Sequence, residues 1–583
     1  MAVALRWLFA HILLLALQVL PLQVQASALH YKIKGLDKEL KQNTLLYLEA
    51  LPPVESAALE KIPPDIPPEI KEALQNSLMA LGFYNPSITM SLDEKDPEQL
   101  NITITPGNPT LIRTLTIDLK GEANDDPVFQ QLIKNLFIKE GGILNHGLYE
   151  SLKTRLTDLT LLRGYFDAKM NKHSIHIYPD QQVADIHIEL DSGNRYQFGF
   201  IRYGSMSEPT RSLIETMINI KPDQPYQANK LSQLNRDLSS TGYFSQIDIR
   251  PLQDRSKDYN IPIHVGVVPK TAHELETGIG FATDEGPRVS LTWDKPWLND
   301  KGHSISNSFA ISKINTELSS RYKIPAGNPL MDYYTLDVGY QKKIQDDTNS
   351  ELISTAVHRW FKRPDHWDQD LFFRIEYEDF TQGQQIGNSL LLIPGIALNR
   401  RKIKGRDGLD PKAGYTSHVK LEVSHQFWGS DTNFIKLWTH TKGLITFKEK
   451  HRFIARAEQG AIWVDDIYNL PPSIRFFTGG DQSVRGYNFE SISPKDGNDK
   501  LIGARYVSAF SGEYNYEFIE KWRLAAFIDS GTATQNYQDK WKIGTGVGLR
   551  WVTPLGPLKL DLAFAISEDN TPWRIHFTMG PDL

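Results

Sequence analysis

From about residue 270 to its end the chain alternates apolar and polar residues with period two, and helical patterning vanishes. LKLDLAFAI (558–566) sets Leu558, Leu560, Leu562, Phe564 and Ile566 on one face. VKLEVSH (419–425) sets Val419, Leu421 and Val423 opposite Lys420, Glu422 and Ser424. FRIEYED (373–379) sets Phe373, Ile375 and Tyr377 against Arg374, Glu376 and Glu378. About sixteen such runs follow one another. Alternation alone also suits a soluble sandwich with one wet face. These runs, however, often reach about ten residues, where five or six is usual, and their apolar faces are rich in aromatics, as in WRLAAFI and FSGEYNYEF. Strands of about 9–11 residues, apolar outside and polar inside, are what a lipid-facing barrel needs, and only a closed barrel satisfies every backbone group in lipid.

The N-terminus agrees with that reading. MAVALRWLFAHILLLALQVLPLQVQASA carries one early positive charge, Arg6, then an apolar run from Trp7 to Leu20, then Ala26-Ser27-Ala28. This is the pattern of a secretory signal cleaved after Ala26 or Ala28, so residues 1–28 are set apart from the fold. No later stretch approaches the roughly 20 apolar residues of a membrane helix. The 583-residue chain has no cysteine, which excludes a disulfide framework and suits passage through an oxidising compartment. Its net charge of −6 gives no sign of a nucleic-acid partner.

The first half repeats. LMALGFYNPSITM, LTLLRGYFDAKM and LSSTGYFSQIDI each end a helical stretch in a glycine (Gly82, Gly164, Gly242), follow it with two aromatics, and pass into a strand. A glycine at that position takes the left-handed conformation that closes a helix, and the aromatic pair is expected to drop into the core. Each repeat opens with one strand and closes with another, giving a β-α-α-β-β unit of about 80 residues. The expected domains are residues 29–107, 108–191 and 192–268, followed by a 16-stranded antiparallel transmembrane barrel over 269–583.

Residues 479–487 read GGDQSVRGY, in a connection of about forty residues between the eleventh and twelfth runs. A loop that long is functional or disordered. Gly479, Gly480 and Gly486 permit a tight tip that presents Arg485. In the thirteenth run, Trp522, Leu524, Ala526 and Ile528 point outward, which turns Arg523, Phe527 and Asp529 to the lumen. In the twelfth, the outward Phe510, Tyr514, Tyr516 and Phe518 turn Glu513 inward. Asp529 and Glu513 are both candidate partners for Arg485, whose guanidinium can grip a carboxylate with two parallel bonds.

With these features the sequence resembles the BamA/TamA outer-membrane assembly superfamily. The matching motifs are VRGY at Val484, Arg485, Gly486 and Tyr487, and F-x-D-x-G at Phe527, Asp529 and Gly531. The resemblance covers essentially the whole chain after residue 28. It implies that the three repeats are POTRA domains in the periplasm, below a barrel in the bacterial outer membrane and its lipid. It also implies that the loop folds into the lumen, where Arg485 docks on the thirteenth strand. Three repeats and the ending FTMGPDL resemble the TamA-like branch. That branch implies assembly of autotransporters and other β-barrel clients, with an inner-membrane-anchored TamB-like partner at the first POTRA domain. The alternatives are a two-partner secretion-type transporter and a BamA-like general insertase.

The residues suggest a physical route. A barrel closes by pairing its first strand with its last. The first run carries Gly278 and Gly280; the last contains Phe577 and ends in Gly580-Pro581. Glycine weakens a strand and proline cannot donate to a ladder, so this seam is expected to be weak and to offer an edge to a client strand. No cofactor or metal site is expected. Asp365, His366, Asp368 and Asp370 read as a solvated connection, and GTGVG (544–548) lies in a strand rather than a phosphate loop. Without a nucleophile elbow or supported triad, no enzymatic role is expected. A passive porin would need no N-terminal repeats.

Overall fold

The computed structural model describes residues 30–52, 68–93, 96, 99–363, 367–404, 410–554 and 556–580. The expected signal segment, Asp365, His366 and Pro581 lie outside the described residues. The chain divides into two compact units. One holds residues up to Phe200 with Ile220–Lys230 and Pro251–Ile263; the other holds Ile201–Asn219, Leu231–Arg250 and His264–Leu583.

Before the barrel lie three sheets of three strands, each with the last strand of its repeat in the centre. In the first, Gln99–Thr105 runs parallel to His30–Lys34 and antiparallel to Ser87–Leu92. In the second, Val183–Asp191 runs parallel to Leu111–Lys120 and antiparallel to Lys169–Tyr178. The third orders Gln197–Tyr203, Asn260–Pro269 and Phe244–Pro251 in the same way. Two helices precede the second strand of each repeat, as the period-3.6 segments predicted. The central position follows from alternation: Leu100, Ile102 and Ile104, like Ala184, Ile186, Ile188 and Leu190, are buried on one face.

The glycine punctuation takes the left-handed conformation expected of it, with φ +93° at Gly82, +88° at Gly164 and +70° at Gly242. The first two aromatic pairs behave differently from the expectation: they split. Phe83 packs on its own module's core, while Tyr84 packs on the next and bonds His146 at 2.5 Å. Tyr165 is buried in its own core, whereas Phe166 meets Tyr196 and Tyr226 edge-on at 5.3 and 4.9 Å. Tyr243 and Phe244 both pack on Trp297, at 5.4 and 5.6 Å. In the first two modules the adjacent residues leaving the left-handed glycine diverge, so one ring serves the module and the other its successor.

From Glu274 to Met579 the chain forms a 16-stranded antiparallel, nearly closed barrel in which each strand pairs with the next in sequence. Its strands range from the 7-residue Trp573–Met579 to the 20-residue Gln385–Lys404. The alternation sorts as expected. Phe373, Tyr377, Leu421, Leu524, Ile528 and Leu560 are exposed on the outer face, while Glu376, Glu378 and Glu422 are buried inside. No described helix is long and apolar enough to cross a membrane.

Because Gly164 sits at φ +88° with its missing Cβ 2.7 Å from Tyr226, Gly164→Ala should destabilise the second module by about 1–3 kcal/mol. Faster amide exchange in helix His146–Arg163, with barrel exchange unchanged, is the expected result. Unaltered helix protection would contradict it.

Candidate functional site: a loop pinned inside the barrel beside an unladdered seam

The loop between the eleventh strand, His451–Trp463, and the twelfth, Tyr506–Ile519, is folded rather than extended. Bridges join Phe476 to Ala504 and Thr478 to Ile492. Its base is clamped by Arg475, which donates to the carbonyls of Leu470 at 2.6 Å and Ile502 at 2.7 Å. At its tip, Gly479, Gly480 and Gly486 have φ of +108°, +105° and +96°. The Gly479 N–H donates to Ser483 Oγ at 2.8 Å, and the Gly480 N–H to the Val484 carbonyl at 3.2 Å. These positive φ values turn the chain tightly enough to push Arg485 into the barrel wall.

Arg485 is 6% exposed and Asp529, on the thirteenth strand Trp522–Thr534, is fully buried. Arg485 Nε donates to Asp529 Oδ2 at 2.7 Å and an Nη to Oδ1 at 3.0 Å, the two-pronged grip of a guanidinium on a carboxylate. The Arg485 backbone N–H adds a third bond to Asp529 at 3.1 Å. The other Nη donates to Glu513 Oε2 at 2.7 Å and to Asp561 Oδ2 at 3.2 Å. The guanidinium carbon lies 3.5 Å from the centre of the Phe527 ring. Arg485 therefore contacts both expected carboxylates, with Asp529 as the chelating one.

Three participants were not singled out in the sequence. Asp561 joins Arg485 and Arg550, and Arg550 Nε donates to Glu513 at 3.1 Å, so two arginines share three carboxylates. Alternation could have found both, because Leu560 and Leu562 outward turn Asp561 inward, and Leu549 and Trp551 outward turn Arg550 inward. The third is the glycine row of GTGVG. A Cβ on Gly544 would overlap the Arg485 carbonyl oxygen, one on Gly546 the Leu562 carbonyl oxygen, and one on Gly548 the Asp561 carboxylate. Gly531 leaves room for Val484, whose Cγ2 would sit 2.7 Å from a Cβ there. Val484, Tyr487, Ile492 and Ala565 form a small apolar cluster behind the arginine, and Tyr487 Oη bonds Ser567 at 3.2 Å. Arg523 faces the lumen as expected and pairs with Asp410 at 2.6 Å and Glu517 at 2.9 Å.

Around the barrel the ladder runs from the first strand, Glu274–Ala282, to the sixteenth, Trp573–Met579, but no described rung joins those two strands. Among the described residues their hydrogen bonds lie at one end. The Thr283 N–H donates to the Phe577 carbonyl at 3.1 Å, the Phe577 N–H donates to Thr283 Oγ1 at 2.6 Å, and the rings of Phe281 and Phe577 stand 5.9 Å apart. Gly278 and Gly280 alternate with the exposed Leu275, Ile279 and Phe281, so they lie on the lumenal face of the first strand. Gly580 follows the last strand at φ +142° and donates to the Pro557 carbonyl at 3.1 Å.

The loop also reaches the seam. The Asp481 N–H donates to Asp284 Oδ2 at 2.6 Å, in the turn after the first strand. The Gly486 N–H donates to Nε2 of His576 on the last strand at 2.9 Å. His576 Nε2 is thus an acceptor, Nδ1 carries the ring proton, and Nδ1 donates to Asp481. Asp284, Asp481 and His576 have the composition of a metal group, but a protonated Nδ1 has no lone pair for a cation. Of the acidic connection near residue 366, Asp370 is buried and bonds His358 Nδ1 at 3.0 Å.

A barrel with a long loop locked into its lumen by a buried arginine, standing after POTRA-type modules, defines the class. The chain belongs to the Omp85 superfamily and is an outer-membrane β-barrel protein of it: the Omp85 superfamily domain matches residues 270–582, and the POTRA domain TamA domain 1 matches residues 30–106. It is 22% identical over 459 residues to outer membrane protein assembly factor BamA of Nitratidesulfovibrio vulgaris, covering 74% of this chain and 58% of that protein. The chain thus spans little more than half the length of that relative. It is 23% identical over 673 residues to the protein of the same name from Neisseria meningitidis serogroup B, covering 87% of this chain and 83% of that one. The crystal structure of BamA from Haemophilus ducreyi lacking POTRA domains 1–3 has the same fold, with a TM-score of 0.63 at 15% identity, covering 81% of this chain and 99% of that one.

Arg485→Ala leaves two buried carboxylates short of a cation and should cost about 3–5 kcal/mol, read as a lower temperature for loss of the folded, SDS-resistant barrel. Arg485→Lys should recover little, because an ammonium cannot grip Asp529 with two prongs. Gly544→Val should act in the same direction by displacing the loop. Melting at the parental temperature in all three variants would mean the loop is held elsewhere.

Proposed function

We propose that this protein is a TamA-like assembly factor of the outer membrane. It promotes insertion or secretion of autotransporters and other β-barrel clients through the seam between its first and last strands. The observation that carries this reading is the unladdered seam. The first and second strands pair over all nine residues of Glu274–Ala282, whereas the first and last exchange hydrogen bonds at Thr283 and Phe577 alone among the described residues. At about 0.5–1.5 kcal/mol net for each hydrogen bond, parting that contact costs only a few kcal/mol. The exposed edges then match a client strand in chemistry: free N–H and C=O groups that in lipid must find partners.

On this reading the N-terminal modules stand in the periplasm, and the first, which matches POTRA domain TamA domain 1, receives a TamB-like inner-membrane-anchored partner. The route needs no cofactor and no bond-making chemistry; strand pairing and lipid burial of the client drive it. The BamA relatives favour a BamA-like general insertase as the second reading, with a wider client range.

Phe281 and Phe577 touch across the seam, and the chain has no native cysteine. Cysteines at these two positions, bridged by a short cleavable reagent, should stop secretion of an autotransporter passenger while leaving the barrel folded. Cleaving the bridge should restore it. Undiminished secretion by a verified crosslinked barrel would remove the seam from the mechanism. Client profiling in a strain lacking the protein separates the two readings: loss confined to autotransporters and a few barrels supports the first, and loss of most barrels the second.

A further inference from the structure

Asp481 belongs to the loop tip but contacts neither Arg485 nor the thirteenth strand. It sits between the two sides of the seam. Its N–H is held by Asp284, in the turn between the first strand and the second, Gly286–Lys295. Its carboxylate Oδ1 accepts the Nδ1 proton of His576 on the last strand. The polar atoms of the three residues lie within 4.8 Å of one another. Asp481 is 8% exposed and His576 2% exposed, so these bonds compete little with water. The second carboxylate oxygen of Asp481 is buried and has no hydrogen-bond partner.

We infer that Asp481 is a positioning residue that latches the seam from inside, joining the first hairpin to the last strand through the docked loop, so that seam opening requires the loop tip to let go. This rests on the seam reading of function and names what controls the seam. The bonds on the barrel's own strands are few: among the described residues the backbone hydrogen bonds across the seam are confined to Thr283 and Phe577, beside the ring contact of Phe281 with Phe577. Asp481 adds a bond to each side, and the Arg485–Asp529 grip fixes where Asp481 stands. The latch is not optimal. Burial, and then the nearby Asp481 charge, pushes the Asp284 carboxyl up to about 6, while His576 and Arg574 from the last strand act in the opposite direction. Two carboxyl groups therefore face each other with little water between them, and one oxygen of Asp481 has no donor. Asn in place of Asp284 keeps the acceptor for the Asp481 N–H, removes the repulsion, and offers an NH₂ to that oxygen.

The test uses the full-length protein in lipid nanodiscs with spin labels at Leu275 and Met579, exposed positions on the first and last strands. The readout is the ratio of open to closed distances at pH 7.5. Asp481→Ala should raise the open ratio roughly tenfold or more, the loss of a charge-assisted hydrogen bond across the seam. Asp481→Asn, which can still accept the His576 proton and also relieves the repulsion with Asp284, should show no such rise. Asp284→Asn should lower the open ratio, an effect that misfolding does not produce. Equal ratios in wild type, Asp481→Ala and Asp284→Asn overturn the latch. If the ratios move in these opposite directions but autotransporter secretion does not, the latch stands and the seam-based function falls.

Discussion

A guanidinium removed from water has to find its charge balanced and its donors used. Arg485 meets that demand with Asp529, Glu513 and Asp561, and much of the barrel's interior is arranged around it. The loop folds inward because its charge-complementary seat is on the lumenal wall. The wall admits it because Gly531, Gly544, Gly546 and Gly548 leave no side chains in the way. Once the arginine is seated, the rest of the tip has no freedom: Gly486 reaches the last strand and Asp481 reaches the first hairpin. A charge interaction at the thirteenth strand thereby sets contacts at the first and sixteenth.

The bilayer imposes the second condition. Backbone groups in lipid have no water to bond, which is why strands span membranes only as closed barrels. Here the ladder is continuous through sixteen strands and, among the described residues, lacks a regular rung where the first strand meets the last. Such a seam is the least stable line in the barrel, and it lies in contact with the pinned loop. Stability is therefore distributed unevenly: strong ladders and a buried charge cluster over the twelfth to fifteenth strands, a weak join between first and last. On the proposed function that inequality is what leaves an edge to present to another chain, because an evenly strong barrel would have none.

Much of this was legible in the chain. Period-two alternation specifies which residues face lipid, and so the inward direction of Glu513, Arg523, Phe527 and Asp529. The glycine punctuation at Gly82, Gly164 and Gly242 marks where each helix ends. The loop motif and the strand-thirteen motif together point to an arginine–carboxylate pair. Alternation would have placed Asp561 and Arg550 inward as well. It could not show that they share the charge of Arg485, because it assigns a face and not a neighbour around the barrel. Nor does any local signal say that a glycine in a strand is there to admit a loop from a distant part of the chain.

The sequence by itself determined the number of strands, the face of each residue, the repeated α+β unit and the presence of an arginine-bearing loop, since all of these follow from periodicity and backbone preference within a few residues. Only the tertiary structure decided the division of Arg485 among three carboxylates, the splitting of the first two aromatic pairs between modules, and the meeting of Asp284, Asp481 and His576 at the seam. Those depend on closing the sheet, which brings residues nearly three hundred positions apart, such as Thr283 and Phe577, within hydrogen-bonding distance. Closure is a property of all sixteen strands at once, and no single stretch of chain encodes it.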